Sequence, residues 1–430
     1  MRIPEDFLLG ASTAAHQVEG NNTNSDYWAQ EQMPHSSFTE PSGIACDHYN
    51  RYEEDIRLLA EAGLNAYRFS VEWARIEPEE GVFDEAQIEH YRKVIACCRE
   101  NKVEPIVTLL HFTSPVWLIR KGGWEAESTI EDFRRYAAYV TEKLGKELNY
   151  ICTINEANMG LQLAAISKRC MLMAQQAAKN AERAEGTVQV GMNFKKMMEN
   201  RKYAAMENEQ VFGTGEPQIF VSSRTQEGDK LVCRAHQAAK EAIKEICPHI
   251  QVGITLSLHD LQALPGGEKY AEAEWEEEFL HYLPYIKEDD FLGVQNYTRT
   301  QYGPEGQLPC PEGAELTQMD YEYYPQALEH VIRRVHKDFP GTLIVTENGI
   351  ATADDSRRVA FIRSAMQGVS NCIEDGIPVK GYCHWSLLDN FEWQKGYSMT
   401  FGLIAVDRAT QKRIPKESLR VLGGFCCTQG

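Results

Sequence analysis

Eight short apolar segments, separated by longer stretches of helical periodicity, are the feature that most constrains how this chain can fold. Each segment is continuously apolar instead of alternating with polar residues, which is typical of strands covered on both faces. Such strands, alternating with helices, favour an α/β protein built on a parallel sheet. The segments are FLLGAST (7–13), NAYRFSV (65–71), PIVTLLH (105–111), YICTIN (150–155), VGITLS (252–257), DFLGVQNY (290–297), TLIVTENG (342–349) and VKGYCHWSLLDN (379–390).

The stretches between these segments carry the pattern of amphipathic helices. In 128–144 the apolar residues recur every three or four positions, and the pattern in 48–62 stops at Gly63. Eight strand–helix units predict an α/β fold in which residues 1–430 form a single (β/α)₈ TIM barrel domain. A doubly wound open sheet is the alternative, but no glycine-rich phosphate loop follows the first segment.

The stretch 160–250 departs from this alternation. Its first part is helix-rich, and a later part, NEQVFGTGEPQIFVSS (208–223), has no clear period. We expect an irregular, helix-rich loop region here, inserted between two units of the barrel.

Charge and cysteine content exclude several classes of protein. The net charge of −19 argues against binding to nucleic acid or to an anionic membrane, and no segment is apolar for long enough to span a membrane. The twelve cysteines show no CxxC spacing, and no Cys/His cluster has the spacing of metal ligands. Together with an N-terminus that lacks a signal-peptide pattern, this predicts a cytoplasmic protein with reduced thiols and no metal site.

Two of the apolar segments end in a glutamate beside an asparagine. Glu156 follows Asn155 in TINEAN (153–158), and Glu347 precedes Asn348 in the mirrored order. Active sites of TIM barrels lie at the carboxyl-terminal ends of the strands. Each such residue alone would more often be structural or solvated, but several at one end of a barrel favour a site. Further residues at strand ends are His111, Tyr297 and Trp385.

The ordered set of motifs along the chain resembles glycoside hydrolase family 1, the β-glucosidase-type retaining enzymes. The resemblance runs nearly from end to end, and the order of the motifs makes it specific. The motifs are FLLGASTAAHQVEG (7–20), ACDHYNRYEEDIRLLAEAGLNAYRFSVEWARIEP (45–78), HFTSPVWL (111–118), TINEAN (153–158), LIVTENG (343–349) and HWSLLDNFEWQKGYSMTFGL (384–403).

The resemblance implies cleavage of a β-glycosidic bond with retention of configuration. Glu347 matches the family's nucleophile and Glu156 its acid/base, a pair that must lie about 5–5.5 Å apart. Arg68 and Tyr297 match the residues that support the nucleophile, and a neighbouring cation lowers a carboxylate pKa. The residues that match the sugar-binding set are Gln17, His111, Asn155, Trp385, Glu392 and Trp393.

The same resemblance predicts the class of substrate. Members that cleave phosphorylated sugars replace the glutamate that is Glu392 here and add a basic phosphate site, whereas Thr400 stands where many members carry a basic residue. We therefore expect the small-molecule substrate to be an unphosphorylated β-glycoside, with a β-glucoside first and β-galactosides and β-fucosides left open. No cofactor is expected.

Several positions depart from the family pattern. Ala157 replaces the usual proline after the acid/base, and Gln295 stands where asparagine is usual. The family's lid after Ala157 is not recognisable, and the stretch 270–291 is short and acidic. These regions border the leaving group in relatives, so the sugar is better predicted than the group to which it is attached.

The sequence allows three alternative functions to be weighed, and it does not define the oligomeric state. A transglycosylase would use the same residues with an alcohol in place of water. A non-catalytic glycan-binding barrel is disfavoured because both carboxylates are present, and a metal-dependent hydrolase because only His111 is well placed as a ligand. Many relatives are dimers or tetramers, but no surface in the sequence identifies a homo-oligomer.

Overall fold

The eight apolar segments form the eight parallel strands of a closed barrel, which confirms the predicted fold class. The computed structural model describes residues 3–176 and 189–425, and the side chains of 169–176 are not described. Around the barrel the strands follow the order β1-β11-β10-β7-β5-β4-β3-β2. In chain order the strands are β1 (Leu8–Ser12), β2 (Ala66–Ser70), β3 (Glu104–Leu110), β4 (Tyr150–Ile154), β5 (Gln251–Ser257), β6 (Asp260–Ala263), β7 (Phe291–Gln295), β8 (Arg299–Gly303), β9 (Gly306–Gln307), β10 (Leu343–Asn348), β11 (Val379–Trp385), β12 (Ile404–Val406) and β13 (Arg413–Pro415).

A helix follows each barrel strand and covers the outside of the barrel. The predicted helix 128–144 is present as Ser128–Leu144, and the helix that was expected to stop at Gly63 runs from His48 to Glu61. Small sheets β6-β8-β9 and β12-β13 lie outside the barrel. The outer helices are His48–Glu61, Glu85–Glu100, Ser128–Leu144, Gln226–Ile246, Glu268–Glu278, Ala327–Asp338, Asp355–Glu374 and Glu417–Gly423.

The inside of the barrel holds a cluster of buried apolar side chains. Six barrel strands each contribute one fully buried residue to a single cluster, and strands on opposite sides of a barrel can meet only in its interior. Neighbouring strands also approach closely, since a Cβ added at Gly10 would lie 2.0 Å from the carbonyl oxygen of Ala66. The interior cluster is Ala66, Ile106, Cys152, Phe291, Ile344 and Cys383.

The expected loop region 160–250 is helix-rich but ends earlier than predicted. Helices Met159–Gln176 and Phe194–Phe212 lie in it, whereas Gln226–Ile246 packs against Ser128–Leu144 as an outer helix of the barrel. The sequence analysis did not identify Gln226–Ile246 as an outer helix, because the residues before it have no clear period. Residues 177–188 of this region lie outside the described part of the chain. We call residues 158–225, which precede the helix Gln226–Ile246, the β4–β5 connection.

Within the described ranges, no helix is both long and apolar enough to cross a membrane. The cysteines whose side chains are described are all free, including the adjacent Cys97 and Cys98.

Candidate active site

The carboxylate of Glu347, near the end of β10, lies between a cation and a phenol. Arg68 of β2 donates to its Oε1 at 2.6 Å, and the hydroxyl of Tyr297 donates to its Oε2 at 2.5 Å. Burial raises the pKa of Tyr297 well above its usual range, so the phenol keeps its proton and acts as a donor. Both oxygens of Glu347 are therefore fixed by side chains from other strands.

The net effect on the Glu347 pKa differs from the expectation based on Arg68 alone. Burial raises the pKa of Glu347 above its ordinary value, and this outweighs the opposing influence of Arg68, Tyr297 and Gln295. In this buried site the loss of hydration of the charged carboxylate has a greater effect than the neighbouring cation and donors. Arg68, which is fully buried and charged, is the first influence that favours the ionised form.

Glu156 follows β4, and its carboxyl has no comparable cation or phenol partner in the part of the chain that the structure describes. Its backbone has a positive φ of 45°, and its N–H donates to the hydroxyl of Thr255 at 2.9 Å. Burial, followed by the charge of Glu347, raises the pKa of Glu156 well above its ordinary value, while a hydrogen bond from Ser257 opposes the rise. The site therefore combines one carboxyl held by a cation with a second carboxyl that favours its protonated form, an arrangement suited to acid–base chemistry.

The amide oxygen of Asn155 accepts hydrogen bonds from side chains that also contact Glu347 or Glu156. Arg68 donates to this Oδ1 at 2.5 Å, Gln295 at 2.8 Å and Thr255 at 3.3 Å. These donors fix the orientation of the amide, so its nitrogen points toward Nε2 of His111, 3.1 Å away. Gln295, whose role the sequence left undefined, thus contacts Asn155 and favours the ionised form of Glu347.

His111 is a neutral imidazole packed against two indoles. Burial and the charge of Arg68 lower the pKa of His111 well below its usual range. Its Nε2 then accepts from Asn155, and its Nδ1 carries the proton and finds no partner among the described residues. The ring centroids of His111 and Trp385 lie 5.6 Å apart, and those of His111 and Trp393 lie 6.0 Å apart.

Glu392, on the loop after β11, and Gln17, in the short helix Ala15–Val18 after β1, form a polar pair. The Nε2 of Gln17 donates to the carbonyl of Phe391 at 2.7 Å and lies 3.4 Å from Oε2 of Glu392. Burial raises the pKa of Glu392 to about 8. All ten residues predicted for the site thus come from the barrel strands or from segments that follow their carboxyl-terminal ends, and all ten are buried.

The replacement of proline by alanine at position 157 has a structural reason. The N–H of Ala157 donates to the carbonyl of Thr255 at 3.1 Å, a bond that proline cannot make. Its carbonyl accepts from Arg224 at 3.0 Å. The residue after Glu156 is therefore held to β5 and to the β4–β5 connection through its backbone.

Three further residues at the site were not singled out from the sequence. Gln189 and Gly191, in the β4–β5 connection, contact Ser257, Tyr297 and Glu392 through hydrogen bonds. The buried hydroxyl of Tyr321 has no hydrogen-bond partner among the described residues. Burial is the main cause of the raised pKa of Tyr321, and the charges of Glu392 and Glu156 add to the rise. None of the three belongs to a motif, so no sequence signal pointed to them.

A comparison with protein families identifies the group to which this barrel belongs. The model of glycosyl hydrolase family 1 matches residues 1–169 and 294–430, which is more than half of the chain. The unmatched residues include most of the β4–β5 connection as well as β5.

Relatives of known name cover nearly the whole chain. The 1,4-beta-D-glucan glucohydrolase of Thermotoga neapolitana is 29% identical over 449 residues, with 97% of this chain and 96% of the relative covered. The 6-phospho-beta-galactosidase of Lacticaseibacillus casei is 30% identical over 482 residues, with 97% and 96% covered.

Solved structures give the same answer. The crystal structure of beta-glycosidase BGL167 has a TM-score of 0.88 and 46% identity, and 100% of this chain and 98% of that chain are covered. The apo structure of beta-glucosidase 1317 has a TM-score of 0.86 and 39% identity, with 98% of both chains covered. The chain is therefore a glycoside hydrolase that belongs to glycosyl hydrolase family 1.

Proposed function

We propose that this protein is a retaining β-glycosidase that hydrolyses unphosphorylated β-glucosides, with Glu347 as nucleophile and Glu156 as acid/base. The observation that carries this assignment is the difference between the two carboxyls. Glu347 is held by Arg68 and Tyr297, whereas Glu156 forms no ion pair with any described residue and has a pKa raised well above its ordinary value. A retaining glycosidase needs one ionised and one protonated carboxyl.

In the first step Glu156 donates its proton to the leaving oxygen as Glu347 attacks the anomeric carbon. The bond from the anomeric carbon to the leaving oxygen breaks, and an ester forms on Glu347. Arg68 and Tyr297 keep the attacking oxygens oriented, because each donates to a different oxygen of the carboxylate.

In the second step Glu156 acts as a base toward water. Ester formation removes the negative charge of Glu347, and that charge is the second cause of the raised pKa of Glu156. The pKa of Glu156 therefore falls in the intermediate, and the carboxylate can accept a proton from the attacking water. The ester then breaks, and Glu347 regains its charge.

In this proposal the sugar is held by amide and carboxyl groups and by an apolar ring face. Glu392, Gln17 and Asn155 provide groups that exchange hydrogen bonds with sugar hydroxyls, and the indole of Trp385 provides an apolar face. The N–H and hydroxyl of Thr400, which stands where many members carry a basic residue, both donate to Gln318, so this position offers a phosphate group no cation. These features favour an unphosphorylated sugar, although the named relatives include enzymes for both kinds.

A panel of chromogenic substrates tests the substrate class. Aryl β-glucosides, β-galactosides, β-fucosides and their 6-phosphorylated forms are compared by kcat/KM. We expect the β-glucoside to be among the best substrates and the 6-phosphoglucoside to be poor. A preference for the phosphorylated sugar would overturn the substrate assignment while leaving the reaction type intact.

Azide rescue tests the mechanism. In Glu156→Ala, hydrolysis of substrates with poor leaving groups should fall most, because these need the proton donor. Added azide should restore turnover with an activated substrate and yield a β-glycosyl azide, since azide needs no base. An α-glycosyl azide would show that no covalent intermediate forms on Glu347.

A further inference from the structure

The turn that carries Glu156 is restrained through its backbone. The N–H of Glu156 donates to the hydroxyl of Thr255 at 2.9 Å, and the N–H of Ala157 donates to the carbonyl of Thr255 at 3.1 Å. Glu156 also has a φ of 45°, in the left-handed region that residues other than glycine seldom adopt. Because its carboxyl is not held by a cation or a phenol as that of Glu347 is, the direction of this carboxyl depends on the conformation of the turn.

A buried arginine of the β4–β5 connection binds the other side of this turn. Nη1 of Arg224 donates to the carbonyl of Ala157 at 3.0 Å, and Nη2 donates to the carbonyl of Phe220 at 2.8 Å. The guanidinium carbon lies 4.6 Å from the centroid of the Phe220 ring, and the side chain of Arg224 is 2% exposed. The backbone of Ala157 is therefore bound at its N–H by β5 and at its carbonyl by Arg224.

The charge of Arg224 is balanced by a carboxylate that leaves both nitrogens free to bind carbonyls. Oδ1 of Asp229, in the first turn of the helix Gln226–Ile246, lies 3.7 Å from Nη1 of Arg224, which is too long for a hydrogen bond. The hydroxyl of Tyr282 donates to Oδ1 of Asp229 at 2.8 Å, and Nε2 of His281 lies 2.8 Å from Oδ2. Asp229 therefore keeps two polar partners of its own when Arg224 is replaced.

The position of Arg224 is itself fixed by its neighbours. The N–H of Arg224 donates to the carbonyl of Gly160 at 3.1 Å, and the N–H and hydroxyl of Thr225 donate to Glu125 at 2.7 and 2.6 Å. A Cβ added at Gly160 would lie 2.6 Å from the guanidinium carbon of Arg224. The arginine thus lies against the first turn of the helix Met159–Gln176, at a place where a residue larger than glycine would displace it.

We propose that Arg224 is a positioning residue for Glu156: by binding the carbonyl of Ala157, it keeps the turn in the conformation that directs the Glu156 carboxyl toward the leaving oxygen. The inference rests on the proposed role of Glu156 as acid/base. Arg224 lies outside the part of the chain that the family model matches. Its loss should weaken proton donation by Glu156 and leave the attack by Glu347 largely intact.

The dependence on the leaving group separates proton donation from nucleophilic attack. The leaving group of 2,4-dinitrophenyl β-glucoside departs with little help from a proton, whereas that of phenyl β-glucoside needs one. Arg224→Met keeps the length of the side chain and removes both hydrogen bonds. We expect kcat/KM to fall about 10–100-fold for phenyl β-glucoside and less than about 3-fold for the dinitrophenyl substrate. Equal losses for the two substrates would show that Arg224 has a packing role only, and the proposal would be wrong.

A second variant moves the arginine without removing its charge. Gly160→Ala should displace the guanidinium of Arg224 and change the ratio of the two kcat/KM values in the same direction, by about 3–10-fold. In a Glu156→Ala background, Arg224→Met should change this ratio no further, because the proton donor is already absent. A further change in that double variant would mean that Arg224 acts through a group other than Glu156.

The matched control is a second buried arginine that binds two carbonyls. Nη2 of Arg358 donates to the carbonyls of Thr352 and Thr400, both at 2.6 Å, and its Nη1 lies 2.5 Å from Oδ1 of Asp355. Arg358→Met should lower thermal stability as Arg224→Met does but leave the ratio of the two kcat/KM values unchanged. If Arg358→Met changed the ratio equally, the effect would belong to the loss of any buried arginine, and the role assigned to Arg224 would be wrong.

Amide hydrogen exchange measures the same restraint without a substrate. The N–H groups of Glu156 and Ala157 should exchange about 10-fold faster in Arg224→Met than in the wild type or in Arg358→Met, as measured by mass spectrometry. Unchanged exchange in Arg224→Met would overturn the proposal. If Glu156→Ala lost no more activity toward the phenyl than toward the dinitrophenyl substrate, the proposed role of Glu156 would fail, while exchange would still decide whether Arg224 holds the turn.

Discussion

The strand ends of the barrel and the β4–β5 connection both line the site, but they do so by different means. The strand ends place residues such as Arg68 and Glu347 through parallel strands whose register is fixed by backbone hydrogen bonds. The connection places Gln189 and Gly191 through a few contacts with loops that follow other strands. The strand ends carry the groups proposed to react, and the connection carries groups that orient them.

This difference follows from the constraints on each region. A side chain at a strand end is located by the whole sheet, so its position depends little on any one neighbour. A side chain in a long connection depends on individual hydrogen bonds, so its contribution is open to change without loss of the fold. Substitutions in the two regions should therefore differ in the property that they change as well as in the size of the effect.

The largest effect is expected at the strand ends. Glu347→Gln keeps the shape of the side chain and removes the nucleophile, so kcat for an aryl β-glucoside should fall at least about 10⁴-fold. Thermal denaturation should show that the variant still folds, and Glu85→Gln, at an exposed carboxylate on an outer helix, serves as the matched control. Near wild-type turnover by Glu347→Gln would show that this strand-end residue is not the nucleophile.

An intermediate effect is expected in the connection. A Cβ added at Gly191 would lie 2.5 Å from the carbonyl oxygen of Glu392 and 3.0 Å from its Oε1, so Gly191→Ala must push the two loops apart. We expect kcat/KM for β-glucosides to fall about 10–100-fold, with a change in the preference for glucose over galactose.

The control for this variant is another glycine of the same connection. A Cβ at Gly215 would meet its nearest neighbours at 3.3 Å, so Gly215→Ala should leave kcat/KM nearly unchanged. If Gly191→Ala behaved like Gly215→Ala, the connection would have no part in sugar recognition.

A smaller effect is expected where the two regions join. Ala157→Pro removes the N–H that donates to Thr255 and places a proline after Glu156, whose φ of 45° is unfavourable before proline. The free energy of unfolding should fall by about 1–3 kcal/mol, measured by chemical denaturation. Ala157→Gly keeps the N–H and should lose less. A stabilised Ala157→Pro would show that the backbone bond to Thr255 has little weight.

The smallest effect is expected at a buried acid that neither region uses. Asp26 accepts from the backbone of Tyr27 and Ser114 through Oδ1, and its Oδ2 finds no partner among the described residues. Burial raises the pKa of Asp26 to about 7, and the charge of Glu72 adds to the rise. The folded state therefore keeps a proton that the unfolded chain releases above about pH 4, so stability falls as the pH rises from 4 to 7.

Asp26→Asn removes this titration while keeping the acceptor at Oδ1. The loss of stability between pH 5 and pH 8 should shrink by on the order of 1 kcal/mol, measured by denaturation at each pH. An identical pH dependence in the variant and the wild type would mean that Asp26 does not hold a proton in the folded state.

The fold was predictable because it depends on features repeated along the chain, and the family because a set of its motifs occurs in order. Each strand is a continuous apolar run, and each outer helix between strands has its own periodic face, so local pattern and global architecture agree. The helix Gln226–Ile246 was the exception, since the irregular residues before it concealed where the barrel resumes. The assignment of roles to Glu156 and Glu347 is still a prediction, supported by their surroundings.

Other features of the site could not be read from the sequence. The net rise in the Glu347 pKa depends on how far burial outweighs Arg68, and burial is a property of the packed structure. Gln189 and Tyr321 reach the site from loops that carry no motif, and the N–H of Ala157 acquires its partner only when β4 and β5 lie side by side.

The residue pattern along the chain was enough to predict the number and order of the eight barrel strands, and with them which residues stand at strand ends, because periodicity and strand polarity are local properties. The folded structure adds how far burial shifts the pKa of each carboxyl and which loop residues contact their surroundings. Those properties arise from contacts between residues far apart in the chain, such as Arg68 with Glu347 and Gln189 with Ser257.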